Sequence, residues 1–309
     1  MTRSTVDTPV EPPAVTLDPA DRRRRGRLLA RLVAPRRPRR RSKTLVVLAG
    51  VWVGLVVVVA LVVQWLPLAD PDVGVGSPNA PLGWTREFLG LDGIGRSELS
   101  RLAYGARASL GISVMACALA VVVGALLGIL TAYFGSWLTV LVDIVTNAVL
   151  AVPALLLLLA IVLALRPSVF TLTMALGLIF VPAFARLTRA HAKTQLVRDY
   201  VIAAQMMGAS RLRLMFREVL PNIISPLISY MALAIPSLIV TEGSLSFLGH
   251  GIPPPTPSWG AMIAAAQPFL AQYPAPVLVP CVVLFATVLA LNILGDALRV
   301  RLDVREAQL

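Results

Sequence analysis

Two cysteines, two histidines and a thin set of carboxylates carry whatever covalent or metal chemistry this sequence could perform. Cys117 and Cys281 lie inside apolar runs, where a thiol behaves as a small hydrophobe. His191 and His250 stand at no ligand spacing from each other or from either cysteine, so a structural zinc site is not expected. A phosphate-cradling G-x-x-x-x-G-K-[ST] loop is absent. The only Lys-Thr pair of the central basic stretch, Lys193-Thr194, follows Arg189-Ala190-His191-Ala192 and lacks the glycines. Neither H-E-x-x-H nor G-x-S-x-G occurs. Ionisable groups inside a membrane mark proton or ion relays, and the candidates are Asp143 and Glu242. Each falls near the end of an apolar run, where a carboxylate that reaches water is the plainer reading. The expectation is an uncharged conduit, not an enzyme, with no catalytic residue, no metal and no directly bound cofactor.

The segment most able to work on a partner is 198–222. Asp199 is placed to cap a short helix over about 200–207, and Gly208 to end it with a positive φ. Ser210 is placed to cap a second helix over about 211–219, which Pro221 closes. Leu212, Met215, Phe216 and Val219 fall on one face at helical spacing, with Arg211, Arg213 and Arg217 elsewhere. Such an elbow could dock on a protein or lie on lipid headgroups, and amphipathicity alone does not choose.

What must position this elbow is a membrane domain. Of the 309 residues 57% are hydrophobic and 14% charged, against about 45–50% and about 25% in soluble domains. Six candidate spans follow, at 44–66, about 110–133, 138–165, 169–185, 223–240 and 275–294. The first is read as an uncleaved helix rather than a signal peptide, because it is long for an h-region and Leu66-Pro67-Leu68-Ala69-Asp70 is not a small-x-small cleavage site. Gly124 and Gly128 either admit a close helix neighbour or reflect the general abundance of glycine in membrane helices.

The net charge of +12 is uneven. Residues 1–43 carry thirteen Arg/Lys against four acids, a composition that fits a disordered cytoplasmic arm on anionic lipid; no aromatic or folded nucleic-acid motif accompanies it. The positive-inside rule then sets the amino terminus inside. Segment 69–100 has five acids against Arg86 and Arg96, and 243–276 has no Lys or Arg; both are expected outside. Segment 188–218 and the tail with Arg299, Arg301 and Arg305 are expected inside, although Arg101, Arg107 and Arg166 run against the rule. The expected class is an all-α, six-helix polytopic membrane protein, N-in and C-in. Its parts are a tail over 1–43, a helical domain over 44–305 and a short tail over 306–309.

The spacing of Ala203-Ala204, Gly208 and Leu220-Pro221 resembles the EAA loop of ABC-importer permeases. Three more stretches resemble dipeptide/oligopeptide permeases. They are Leu89–Arg96 with Ser100–Leu110, Glu242–Gly249 with Gly251–Pro255 and Pro257–Gly260, and Asn292–Arg299 with Leu302-Asp303. Departures from that pattern are Ile202 for a usual Glu, Glu218 for an apolar residue or His, Leu91 for Thr, Ser97 for Asp and His250 for Leu.

The resemblance implies a permease subunit of an ATP-driven importer in a cell (inner) membrane. It implies two cytoplasmic ATPase subunits that use the ATP, a second similar permease, an extracytoplasmic solute-binding protein and a peptide substrate. The coupling residues would be Ala203, Ala204, Gly208, Leu220 and Pro221. Arg211, Arg213 and Arg217 would contact either ATPase acids or lipid headgroups. A nickel or glutathione permease of the same family is the alternative cargo reading. A secondary transporter or channel, and a non-transporting scaffold, are the readings from other classes.

Overall fold

A computed structural model describes residues 43–81, 83 and 87–306. The basic tail expected over 1–43 lies outside the described residues except for Lys43, as does the tail over 306–309 except for Glu306. Among the described residues the regular elements are helices: α1 (Lys43–Val62), α2 (Glu98–Phe134), α3 (Ser136–Ala151), α4 (Ala154–Leu165), α5 (Val169–Leu196), α6 (Asp199–Met206), α7 (Arg211–Arg213), α8 (Leu220–Phe247), α9 (Trp259–Ala266) and α10 (Ala275–Glu306).

Among the described residues five unbroken helical stretches are long and apolar enough to cross a bilayer: Lys43–Trp65, Glu98–Phe134, Val169–Leu196, Arg211–Phe247 and Ala275–Leu302. The stretch expected to be the third span is instead two helices, α3 and α4, bent by 96° from one another. Pro153 is the cause. Its ring lacks an N–H and disfavours a helical residue before it, and Val152 accordingly sits extended at φ −92°, ψ 133°. With 12 residues, α4 is about 18 Å long, too short alone for a hydrocarbon core of about 30 Å. Among the described residues there are therefore five candidate spans, or six when the bent pair counts as one.

The helices also run past the apolar windows. α2 begins twelve residues before its expected start, capped by Ser97, whose Oγ accepts from the Ser100 N–H at 3.3 Å. Ser97, a departure from the family pattern, thus does the capping that an Asp would do. At 37 residues, α2 is about 55 Å long, so its first turns stand beyond a membrane of the usual thickness. α5 continues eleven residues past its expected end, and α10 twelve.

Packing centres on α2 against α5, where Gly124 and Gly128 lie directly on Phe184, Ala185 and Thr188. Of the two readings of this glycine pair, close helix approach is the one the structure adopts. Phe184 meets Tyr230 of α8 edge to face, with ring centroids 4.9 Å apart. On the other flank the Trp52 indole N–H donates to Thr287 Oγ1 of α10 at 3.1 Å.

Gly295 lies beside Ala232 and Gly243 beside Leu284, so α8 and α10 are antiparallel, and Gly50 lies beside Leu294. Lys43 and Glu306 therefore fall at the same end of the bundle as the 198–220 segment. The opposite end carries α9 and the described residues of the segment before α2, 69–81 and 87–97. Trp259 of α9 is fully buried against α2, its Nε1–H donating to the Leu102 carbonyl at 3.1 Å.

Candidate coupling site

The elbow forms as a helix, a left-handed glycine and a second helix. α6 starts at Asp199, but Asp199 is not its cap: Arg198 occupies that place without a side-chain bond. Asp199 is instead the first helical residue, where its charge favours the helix amino terminus. Gly208 sits at φ +80°. Its N–H bonds to the Gln205 carbonyl at 3.0 Å, and that of Ala209 to the Ala204 carbonyl at 3.1 Å. This pair is the Schellman arrangement, and it satisfies carbonyls that the end of a helix otherwise leaves open. Ser210 then caps the next helix, its Oγ accepting from the Arg213 N–H at 3.4 Å.

Pro221 does not close that second helix. α7, a π-helical turn over Leu214–Val219 and α8 form one continuous stretch, Arg211–Phe247. The π turn accounts for the difference. It widens the hydrogen-bond register, so that the Leu220 N–H reaches Met215, and the proline falls in the first turn after the shift, where its missing N–H costs little.

The register change also alters the faces. Met215 and Val219 are buried as expected, but Leu212 and Phe216 are exposed, and Leu214 takes the buried place between them. The spacing that matters is the five residues from Leu214 to Val219, which a search at 3.6 residues per turn does not find.

Among the residues of the family motif, Ala204 is buried, while Ala203, Gly208, Arg211, Arg213, Arg217 and Pro221 are exposed and Leu220 is half-buried. The arginines divide. Arg211 lies over the Phe134 ring at 6.0 Å and so fastens the elbow to the end of α2. Arg213 lies 3.9 Å from Glu218. Arg217 is simply exposed.

Sequence reasoning missed the surface that α6 and its C-cap present: Ile202, Met206 at 84% exposure and Met207 at 81%. Adjacent methionines just before the helix-ending glycine were the available signal, since flexible thioethers suit a docking face.

The two intramembrane carboxylates separate as well. Asp143 of α3 reaches Arg189 of α5 at 2.8 Å and remains part exposed, in keeping with an interfacial group. Glu242 does not reach water. It is 1% exposed, Ser246 Oγ donates to its Oε1 at 2.7 Å, and the hydroxyls of Ser109 in α2 and Ser258 before α9 face it. Three elements converge on this carboxyl, which only the tertiary structure brings together. The Ser246 hydroxyl satisfies Oε1, while Oε2 is buried without a hydrogen-bond partner among the described residues. Among the described residues no cluster of three metal-ligating side chains occurs.

Residues 124–307 match the family model described as binding-protein-dependent transport system inner membrane component. The chain is 40% identical over 255 residues to the di/tripeptide transport system permease protein DppC of Pseudomonas aeruginosa, covering 81% of this chain and 84% of that protein. It is 33% identical over 264 residues to the glutathione transport system permease protein GsiD of an Escherichia coli strain, covering 85% and 87%. In fold it is similar to a chain of the MetNI methionine ABC transporter in an inward-facing conformation, with a TM-score of 0.55 at 16% identity over 65% of this chain and 96% of that one. The chain thus belongs to the family of binding-protein-dependent transport system inner membrane components, as a non-catalytic permease subunit of an ABC importer.

Proposed function

We propose that this subunit forms half of the translocation pathway for dipeptides or oligopeptides and that its 198–222 elbow transmits the stroke of a partner ATPase into the membrane. The observation that carries the reading is the unbroken helix from Arg211 to Phe247. At 37 residues it is about 55 Å long, so force applied at the elbow travels along one continuous helix into the bundle. Ile202, Met206 and Met207 supply the contact face for the ATPase, and the Schellman turn at Gly208 keeps that face fixed to the helix.

A second, similar permease completes the pathway, and a solute-binding protein delivers cargo to the end that carries α9. The peptide reading over glutathione is supported by the higher identity to the di/tripeptide permease, 40% against 33%.

ATP-dependent uptake of a labelled dipeptide is expected in vesicles holding this chain, a second permease, the ATPase subunits and the binding protein. No ATP hydrolysis is expected from this chain alone, because it has no phosphate-cradling loop. Uptake driven by a proton gradient without ATPase subunits would point to a secondary transporter. Uptake of glutathione in preference to dipeptides would replace the cargo.

The same reading fixes the topology. Reporters fused after Gly76 and after Pro268 should report outside, and a reporter after Arg305 inside, as the charge bias requires. An inside signal at Pro268 would sink this arrangement.

A further inference from the structure

One face of α5 carries a basic strip apart from the elbow. Arg186, Ala190 and Lys193 are exposed, and their spacings of four and three residues put them on one side of the helix. Arg189 lies half-buried beside them and spends its charge on Asp143 of α3 at 2.8 Å. Asp143 is the sole acid of α3, and α5 has none; all three cations act on that one carboxylate. The strip is therefore net positive. Arg186 Nη2 donates to Asn147 Oδ1 of α3, which fixes the guanidinium and leaves its other N–H groups free to donate.

The Arg186 end of this strip lies deep. Gly124 of α2 packs on the Ala185 backbone and Gly128 on that of Arg189, so Arg186 is level with the stretch between the two glycines. That stretch is about 9–15 Å short of the end of α2 at Phe134, and α2 carries no charge from Leu110 to Phe134. Nor does Arg186 reach back toward the elbow end, as a snorkelling side chain would. The Asn147 that it bonds stands about 16 Å along α3 from Ser136, at the elbow end of that helix. A charge held at such a depth faces a protein interior or a water-filled space, not lipid. Arg186 and Asn147 are nevertheless both exposed on this chain.

We propose that this face of α5 and α3 lines the elbow half of the translocation pathway and that Arg186, held by Asn147, binds the terminal carboxylate of the passing peptide. A planar guanidinium fork matches a carboxylate with two parallel hydrogen bonds. Lys193 lies about 10 Å further toward the elbow end, a second cation that draws the carboxylate onward. The neutral Asp143–Arg189 pair between them adds no net charge to hold it back. The inference deepens the importer reading above and rests on it for the identity of the carboxylate.

The test uses the native nucleotide-free complex, purified through a tag on this chain, in zwitterionic lipid nanodiscs. Ala190→Cys places a thiol on the strip between Arg186 and Lys193, and unsubstituted complex with Cys117 and Cys281 gives the background. The thiol is modified with two water-soluble thiosulfonates, one bearing a sulfonate and one a trimethylammonium, and followed by mass spectrometry. Both are expected to react, and the anionic reagent is expected to be favoured several-fold over its ratio on a free thiol. Arg186→Gln should remove most of that preference, and Arg186→Lys should keep much of it. Glycylglycine should slow modification several-fold, whereas glycylglycinamide, which lacks the carboxylate, should not; this comparison needs no substitution at Arg186.

A thiol closed to both reagents, a charge preference unchanged by Arg186→Gln at an unchanged thermal midpoint, or equal protection by the amide overturns the proposal. Protection by added phosphatidylglycerol and not by glycylglycine would assign the strip to a lipid headgroup and likewise overturn it. Uptake of labelled dipeptide by the wild type, measured in parallel, separates the two readings. Uptake without protection by glycylglycine overturns the carboxylate site alone, and protection without uptake overturns the cargo alone.

Discussion

Gly208→Val is expected to abolish coupling while leaving the chain inserted and expressed. Nothing lies within 4 Å of the place a Cβ would occupy there, so the substitution meets no steric wall. Its whole effect comes from the backbone at φ +80°. A side chain in the left-handed region costs about 1–2 kcal/mol, and a β-branched one is a true outlier. Relief of that strain breaks the two hydrogen bonds that fold Gly208 and Ala209 back on α6, and α6 loses its fixed angle to the helix that begins at Arg211. A free-energy change of about 1.4 kcal/mol already reduces the properly set elbow about tenfold.

Uptake should therefore fall by about that factor or more, with ATPase subunits either lost from the purified complex or hydrolysing without transport. Gly208→Asn is the informative companion, because asparagine tolerates the left-handed region; it should retain most of the uptake. Gln205→Ala, on the exposed side of α6, serves as control. Normal uptake by Gly208→Val at normal expression would falsify the lever assignment, and equal loss in Gly208→Asn would show that backbone conformation is not the cause.

Gly128→Val should do the opposite, damaging the membrane bundle itself. A Cβ at Gly128 would stand 2.5 Å from Thr188 Cβ, 2.6 Å from the Ala185 carbonyl oxygen and 2.9 Å from the Arg189 nitrogen. Two of these three are backbone atoms of α5 and cannot rotate aside, so α2 and α5 must separate. Helix association inside a bilayer depends on such close packing, because lipid supplies no hydrophobic drive between helices. Overpacking of this kind costs about 1–3 kcal/mol and occasionally more.

Each kcal/mol lowers the unfolding midpoint by roughly 2–4 °C in a domain of this size, so the detergent-solubilised variant should melt several degrees below wild type and express poorly. Gly111→Val in the same helix is the matched control, since nothing lies within 4 Å of its Cβ position. The two measurements are midpoints by a thiol-reactive or scattering assay. A Gly128→Val midpoint equal to that of Gly111→Val would show that the α2–α5 contact does not support the bundle.

The two predictions separate what the elbow does from what the bundle does. At Gly208 there is space but no freedom of φ; at Gly128 the helical backbone is ordinary but there is no space. A transport defect with an intact midpoint belongs to the first kind, and a lowered midpoint to the second.

Composition and run length by themselves determined that this is a helical membrane protein, because an excess of apolar side chains in runs of about 20 residues has no soluble solution. The ordered motifs around Gly208, Glu242 and Asp296 pointed to the family that the match over residues 124–307 shows. Local chemistry was likewise legible: the positive φ at Gly208 and the cap at Ser210 depend on one or two residues and their immediate neighbours.

Three things were decided only in the folded chain. The 96° break at Pro153 divides a run that hydropathy reads as one span, because hydropathy is blind to a missing N–H. The π turn over Leu214–Val219 carries the helix through Pro221 and moves Leu214 inside in place of Leu212 and Phe216, since its register is set by what the neighbouring helices can bury. Glu242 is sealed by Ser109, Ser246 and Ser258, three hydroxyls of which two come from distant segments. The burial of a carboxyl depends on which elements close over it, and that is a property of the packing rather than of the residues on either side of it in the chain.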